Sequence, residues 1–125
     1  MPSKTRVLLV DDNLGFLQLS EMGLANDYDV ITALDGQEGM EKAMKEIPDI
    51  ILMDVKMPRV SGLEMLRMLL AEDKTRAIPV IVMTASHFDP STEMVFKQEI
   101  NVKGFLQKPC PVSALKEEIE KVVKK

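Results

Sequence analysis

Five short apolar runs recur along the chain: Val7–Val10, Val30–Ala33, Ile50–Met53, Val80–Met83 and Gly104–Gln107. Three of them are continuously apolar rather than alternating, and they are rich in Val and Ile. Such runs suit strands buried on both faces, as in a parallel sheet covered by helices. Tyr28-Asp29-Val30-Ile31 is more polar and belongs nearer an edge. The intervening stretches carry apolar residues at helical spacing. The first helix starts at Asn13 or just before, with Phe16, Leu17, Leu19 or Ser20, and Leu24 inward. The second follows Asp35-Gly36, with Met40, Ala43, Met44 and Ile47 inward. Ser61 is a natural N-cap for a third, with Leu63, Leu66, Leu69 and Leu70 inward. A fourth begins near Asp89-Pro90, carries Met94, Val95 and Gln98, and ends before Asn101, which tolerates a left-handed C′ position. The last begins at Pro111, with Val112, Leu115, Ile119 and Val122 on one stripe. Right-handed crossovers then give a (βα)5 three-layer α/β sandwich with helices on both sheet faces.

With 125 residues, the chain reads as one domain over 1–125, with no linker, repeat or output domain. It is 46% apolar and 29% charged, a globular balance that argues against disorder. The net charge of -4 argues against direct nucleic-acid binding. One cysteine, Cys110, excludes an intrachain disulfide and is assigned to packing. The lack of an apolar leader or spanning run predicts a cytoplasmic protein with no membrane insertion. Ten methionines are read as flexible core filler.

Polar groups stand at the carboxyl ends of four of the five runs. Asp11 and Asp12 follow the first, Asp54 the third, Thr84 the fourth, and Lys108 the fifth, before Pro109. Open α/β sheets bind ligands at that edge, so these residues point to one site. Clustered carboxylates raise one another's pKa unless a cation intervenes. Mg2+ suits hard oxygen ligands and also takes phosphate oxygens. A carboxylate attacking phosphorus gives an aspartyl phosphate. Lys108 and Thr84 supply donors for the charge on the transferring group. A P-loop would place glycines after the first strand, whereas this chain has Asp11-Asp12-Asn13.

In order and in combination, these pieces resemble the receiver domains of two-component response regulators, the family of the chemotaxis response regulator. The matching residues are Asp11-Asp12, Pro48-Asp49, Asp54 with Met57-Pro58 and Ser61-Gly62, Thr84-Ala85, and Lys108-Pro109. The resemblance spans essentially the whole chain. It implies a flavodoxin-like fold with a five-stranded parallel sheet in order 2-1-3-4-5. It implies that Asp54 is the phosphoacceptor and that Asp11, Asp12, the Asp54 carboxylate and the Lys56 carbonyl bind Mg2+. It implies that Lys108 pairs with the phosphoryl group and that, as is usual in the family, the peptide between Lys108 and Pro109 is cis. Thr84 is the switch hydroxyl and Phe105 the switch aromatic. The implied donor is a histidine kinase or histidine phosphotransfer protein. The output partner, contacted through helix 4, strand 5 and helix 5, is not specified. The family is a signalling switch rather than an ordinary enzyme, catalysing only its own phosphorylation and dephosphorylation.

Plainer roles compete for some of these residues. Asp12 could cap the first helix, and His87 reads as a solvated loop residue. Two residues more than in the chemotaxis regulator separate Thr84 from Lys108, placed in 86–90. Lys103-Gly104-Phe105 stands where the winged-helix branch has Asp-Asp-Tyr, which favours a monomer or weak dimer. Lys56 and Ser86 occupy positions that tune phosphoryl lifetime, and the Lys56 side chain is expected to reach toward the group. A haloacid dehalogenase-like phosphatase would need Asp-x-Asp after strand 1. A flavodoxin-like electron carrier would need a first loop rich in Ser, Thr and Gly.

Overall fold

The computed structural model describes residues 4–55, 59–84, 90–108 and 110–123, with the side chains of 90–93 outside that description. Strands and helices alternate as β1 (Thr5–Val10), α1 (Leu14–Leu24), β2 (Tyr28–Ala33), α2 (Gly36–Glu46), β3 (Ile50–Asp54), α3 (Gly62–Ala71), β4 (Val80–Thr84), α4 (Pro90–Lys97), β5 (Val102–Gln107) and α5 (Val112–Val123). All ladders are parallel, in the order β2-β1-β3-β4-β5. This is the flavodoxin-like order that the resemblance implies. Every strand extends beyond its apolar run, β2 by the polar Tyr28-Asp29. Asp54 and Thr84 are the last residues of β3 and β4, not the first of their loops.

Continuous apolarity has the expected cause. Val7 to Val10, Ile50 to Met53 and Val80 to Met83 are all 0% exposed. Leu8, Val10, Ile51, Met53, Val80 and Val82 pack with α2, α3 and α4 through Met40, Ala43, Met65, Leu66, Leu69 and Phe96. The alternate residues Val7, Leu9, Ile50, Leu52, Ile81 and Met83 pack with α1 and α5 through Leu17, Leu24, Leu115 and Ile119.

Caps fix where the helices begin. Asn13 accepts from the Phe16 N–H, and Asp35 from the Glu38 N–H. Ser61 and Glu64 form a reciprocal capping box. Each satisfies an amide that the first helical turn leaves unpaired.

Several inward assignments change. In α1 the alternative between Leu19 and Ser20 resolves to Ser20, buried with Leu17 and Leu24, while Leu19 is 69% exposed. Ile47 does not continue the α2 stripe: it is the C-cap at φ 45, and Pro48 forbids another helical turn. Met65 joins Leu66 and Leu69 as the buried face of α3, with Leu63 and Leu70 at its margin. Among the described side chains of α4, Phe96 is buried, and Met94 and Val95 face outward. Asn101 is buried rather than left-handed, its amide reaching the Leu66 carbonyl at 3.5 Å. Met40, Met53, Met65 and Met83 are core, but Met22 and Met94 are exposed.

A bulge interrupts β5. Val80 pairs with Val102 but Ile81 pairs with Gly104, leaving Lys103 as the extra residue. The inserted residue resets the alternation, so Val102 and Phe105 both pack on the α2-α3-α4 side although three positions apart. Gly104 faces α5, where a Cβ would stand 2.8 Å from Glu118 Oε2.

Candidate functional site

Adjacent strands β1 and β3 bring Asp11 and Asp54 to one edge of the sheet. Asp11, Asp12 and Asp54 each offer a carboxylate oxygen, and these lie within 4.8 Å of one another. Asp11 is fully buried, Asp12 exposed and Asp54 intermediate. Asp12 does not cap α1, because Asn13 does.

Lys108 enters from β5, two strands away from β3. Its N–H donates to the Thr84 carbonyl at 2.6 Å, carrying the β4–β5 ladder one residue past Gln107. Its Nζ donates to Asp11 Oδ2 and lies 3.8 Å from Asp54 Oδ2. The same ammonium sits 4.4 Å from the centre of the Phe16 ring, whose face attracts a cation.

Backbone donors orient both acids. The Asn13 N–H donates to Asp11 Oδ1 at 2.9 Å. The Val55 N–H donates to Asp54 Oδ1 at 2.9 Å, which leaves Oδ2 on the Lys108 side. Burial pushes the Asp54 carboxyl up to about 6, and the nearby Asp11 charge adds to this. Lys108 and the Val55 N–H pull the other way. Asp54 is therefore mostly ionised at neutral pH, yet a further cation at its side is electrostatically welcome.

The donor set fits Mg2+. Oxygens around one Mg2+ at about 2.0–2.1 Å are separated by about 2.9 Å when adjacent and about 4.2 Å when opposite. Three carboxylate oxygens within 4.8 Å need only small movements to meet that spacing.

Thr84 is buried at the end of β4, one position beyond the Met83 that pairs with Asp54. Phe105 does not join the acids. It is half-buried on the α4 side, edge-on to Phe96 at 6.5 Å and 79°, with the Lys97 ammonium 5.8 Å from its centroid. Lys56, with its carbonyl and side chain, lies outside the described residues, as do Met57, Pro58, Ala85, Ser86, His87 and Pro109. The peptide between Lys108 and Pro109 therefore lies outside them too. Cys110 is half-buried among the α1–α5 core residues, and burial raises its thiol pKa.

Sequence reasoning missed four contributors. Phe16 reads as a core residue, and nothing in its spacing announces a cation on its ring. Asn13 and Val55 act through backbone N–H groups, which carry no residue signature. The fourth is an ion pair between Asp35 and Arg59, two loops apart in sequence. A concavity of about 600 Å³ lined by Ala77, Pro79, Lys103, Glu118 and Lys121 lies toward the opposite edge of the sheet and holds none of these groups.

Known proteins of the same family and fold share this chain's sequence pattern. The family model described as "Response regulator receiver domain" matches residues 7–120. The chain is 33% identical over 119 residues to Protein PilH of Pseudomonas aeruginosa, covering 94% of this chain and 97% of PilH. It is 39% identical over 105 residues to Response regulator PleD of Caulobacter vibrioides, covering 83% of this chain but only 23% of PleD. Among solved structures, the chemotaxis response regulator CheY4 of Vibrio cholerae superposes with a TM-score of 0.88 at 28% identity, covering 97% of this chain and 100% of that one.

Proposed function

From the premise that the chain belongs to the response regulator receiver domain family, we propose that it is a phosphoacceptor switch in which Asp54 receives the phosphoryl group. Receiver domains act as signalling switches, accept phosphate from histidine kinases or phosphotransfer proteins, and generally bind Mg2+ at an acidic pocket. The observation that carries the reading is the meeting of Asp11, Asp12 and Asp54 with the Lys108 ammonium between Asp11 and Asp54.

In the proposed reaction an Asp54 oxygen forms the new P–O bond as the donor's P–N bond breaks. The imidazole nitrogen leaves with the bonding pair and takes a proton from solvent. Asp11, Asp12, Asp54 and the Lys56 carbonyl would hold Mg2+, which supplies charge neutralisation for the transferring group. The Val55 N–H keeps Asp54 oriented. Lys108 supplies a cation beside Asp54, and Thr84 a hydroxyl at the neighbouring strand end. A phosphoryl group adds roughly -1.5 to -2 of charge and three acceptors. Thr84 and Lys108 satisfy these in one arrangement of their loops, which biases a two-state surface. Phe105 then changes its packing against Phe96, and the surface of α4, β5 and α5 is read by an output partner.

The donor would be a histidine kinase or histidine phosphotransfer protein. The net charge of -4 favours output by protein contact over nucleic-acid binding. No helix among the described residues is long and apolar enough to cross a membrane. We place the protein in the cytoplasm as a monomer or weak dimer. Intact-protein mass after acetyl phosphate, with and without Mg2+, tests the reading. A Mg2+-dependent adduct in wild type that is lost in Asp54→Ala is expected. A folded wild type that takes no adduct from several donors would overturn it.

A further inference from the structure

We infer that Asp35 and Arg59 form a positioning clasp for Asp54, an inference that rests on the phosphoacceptor reading. Asp35 lies between β2 and α2, and Arg59 lies between β3 and α3. Arg59 Nε and Nη2 both donate to Asp35 Oδ2, at 3.1 and 2.5 Å. The other oxygen, Oδ1, accepts the Glu38 N–H at 2.8 Å. One carboxylate thus caps α2 and holds Arg59, two residues ahead of the α3 cap. The Asp35 side chain is 12% exposed and that of Arg59 60%, so water reaches the pair from the arginine side and its worth lies in the two-nitrogen geometry more than in charge alone.

Two further features show that the loops are built against each other. Arg59 has φ 67, a conformation a non-glycine residue holds only when its surroundings demand it. A Cβ on Gly36, the residue after Asp35, would stand 2.2 Å from the Val60 carbonyl oxygen. Only a glycine lets α2 start this close to the neighbouring backbone.

The clasp connects to Asp54 through bonded neighbours. Arg59 and Val60 lead directly into Ser61, the cap of α3. The Gly62 N–H donates to the Val55 carbonyl at 3.0 Å. Val55 in turn donates its own N–H to Asp54 Oδ1. A loop free to drift at Arg59 loosens the Gly62–Val55 bond, and with it the amide that aims the carboxylate. Neither Asp35 nor Arg59 lies in the acid cluster, so both are positioning residues and not catalytic ones.

The test uses Asp35→Asn, Arg59→Asn and the double variant in the full chain. Asn keeps an N-cap acceptor at 35 and tolerates the left-handed conformation at 59, so neither change acts through a lost cap or backbone strain. Amide hydrogen exchange at Val55 and Gly62, without Mg2+, and the calorimetric Kd for Mg2+ are measured on each. Arg59→Lys keeps the charge but loses the two-nitrogen contact, and should recover only part of the effect. The expected result is about tenfold faster exchange at both amides and about three- to tenfold weaker Mg2+ binding in each single variant, with no further loss in the double. Unchanged exchange, or faster exchange with an unchanged Kd, overturns the clasp. A wild type that binds no Mg2+ and takes no phosphoryl group overturns the parent reading and the clasp with it, and is recognised because the failure is then in the wild type.

Discussion

Replacing Asp54 with Asn should stabilise the protein at neutral pH in the absence of divalent ions. Burial and the neighbouring Asp11 charge raise the Asp54 carboxyl from 3.8 to about 6. The folded state therefore binds this proton more tightly than the unfolded chain does. Stability from this group is greatest below about pH 4, falls as pH rises to about 6, and is flat above. A shift of about two units corresponds to about 3 kcal/mol, the upper bound on what the ionised carboxylate costs the fold. Asn keeps the shape and the acceptor for the Val55 N–H but carries no charge. With a urea slope of about 2 kcal/mol/M, the midpoint of Asp54→Asn should exceed that of wild type by up to about 1.5 M at pH 7.5 in EDTA. At pH 5 the gap should shrink to about half, because wild type then regains much of its proton. Saturating Mg2+ should also narrow the gap, since it binds the folded, ionised wild type. Urea melts followed by far-ultraviolet circular dichroism at pH 5 and 7.5, with EDTA or Mg2+, measure all four terms. Equal midpoints for wild type and Asp54→Asn at pH 7.5 in EDTA would refute the argument that burial and charge repulsion, rather than Lys108, dominate at Asp54.

Lys108→Met leaves the fully buried Asp11 without its ammonium, and should cost about 3–5 kcal/mol in EDTA, with partial recovery in Mg2+ seen by the same melts. Gly62→Ala puts a Cβ 2.8 Å from the Asp54 carbonyl oxygen and 3.0 Å from Val55 Cα, backbone that cannot yield. It should lose about 1–3 kcal/mol and slow adduct formation by mass spectrometry while α3 still forms. Backbone and Arg59 hydrogen bonds hold the Asp35 carboxyl below 3.8. Its contribution is therefore present above the unfolded pKa and lost as pH falls through the folded one, so Asp35→Asn should flatten the acid limb of the stability profile below about pH 4 and leave its neutral limb in place.

Element order and the meeting of Asp11, Asp12, Asp54 and Lys108 were legible because each rests on a strong pattern, whereas the strand order came from the family resemblance. A strand buried on both faces has to be apolar throughout, and its polar terminus has to sit at the sheet edge. Assignments failed where local periodicity was overruled by geometry that spacing cannot express. Ile47 fits the α2 stripe, but Pro48 stops the helix and turns Ile47 outward. Spacing left Leu19 and Ser20 as alternatives for one inward position, and Ser20 is the one that is buried. Val102 and Phe105 share a face only because Lys103 is an extra residue in the ladder, which no alternation rule anticipates. The parts of the site that stayed hidden are the Val55 and Asn13 amides, the Phe16 ring and the Asp35–Arg59 pair, contacts that depend on loop conformation.

The sheet also sets how the molecule can change over time. Its three inner strands are closed to solvent on both sides, so it stands as a bulkhead between two packing compartments. Leu17 belongs to one and Leu66 to the other, and they share no cluster. Truncations in different compartments should therefore add to within about 0.5 kcal/mol, as independent sites do. Substitutions that remodel the Phe96–Phe105 side can accumulate without forcing matching substitutions beneath α1 and α5. A surface made of α4, β5 and α5 draws on both compartments, through Phe96 on one side and Leu115 and Ile119 on the other, so it can be reshaped from either without disturbing the other.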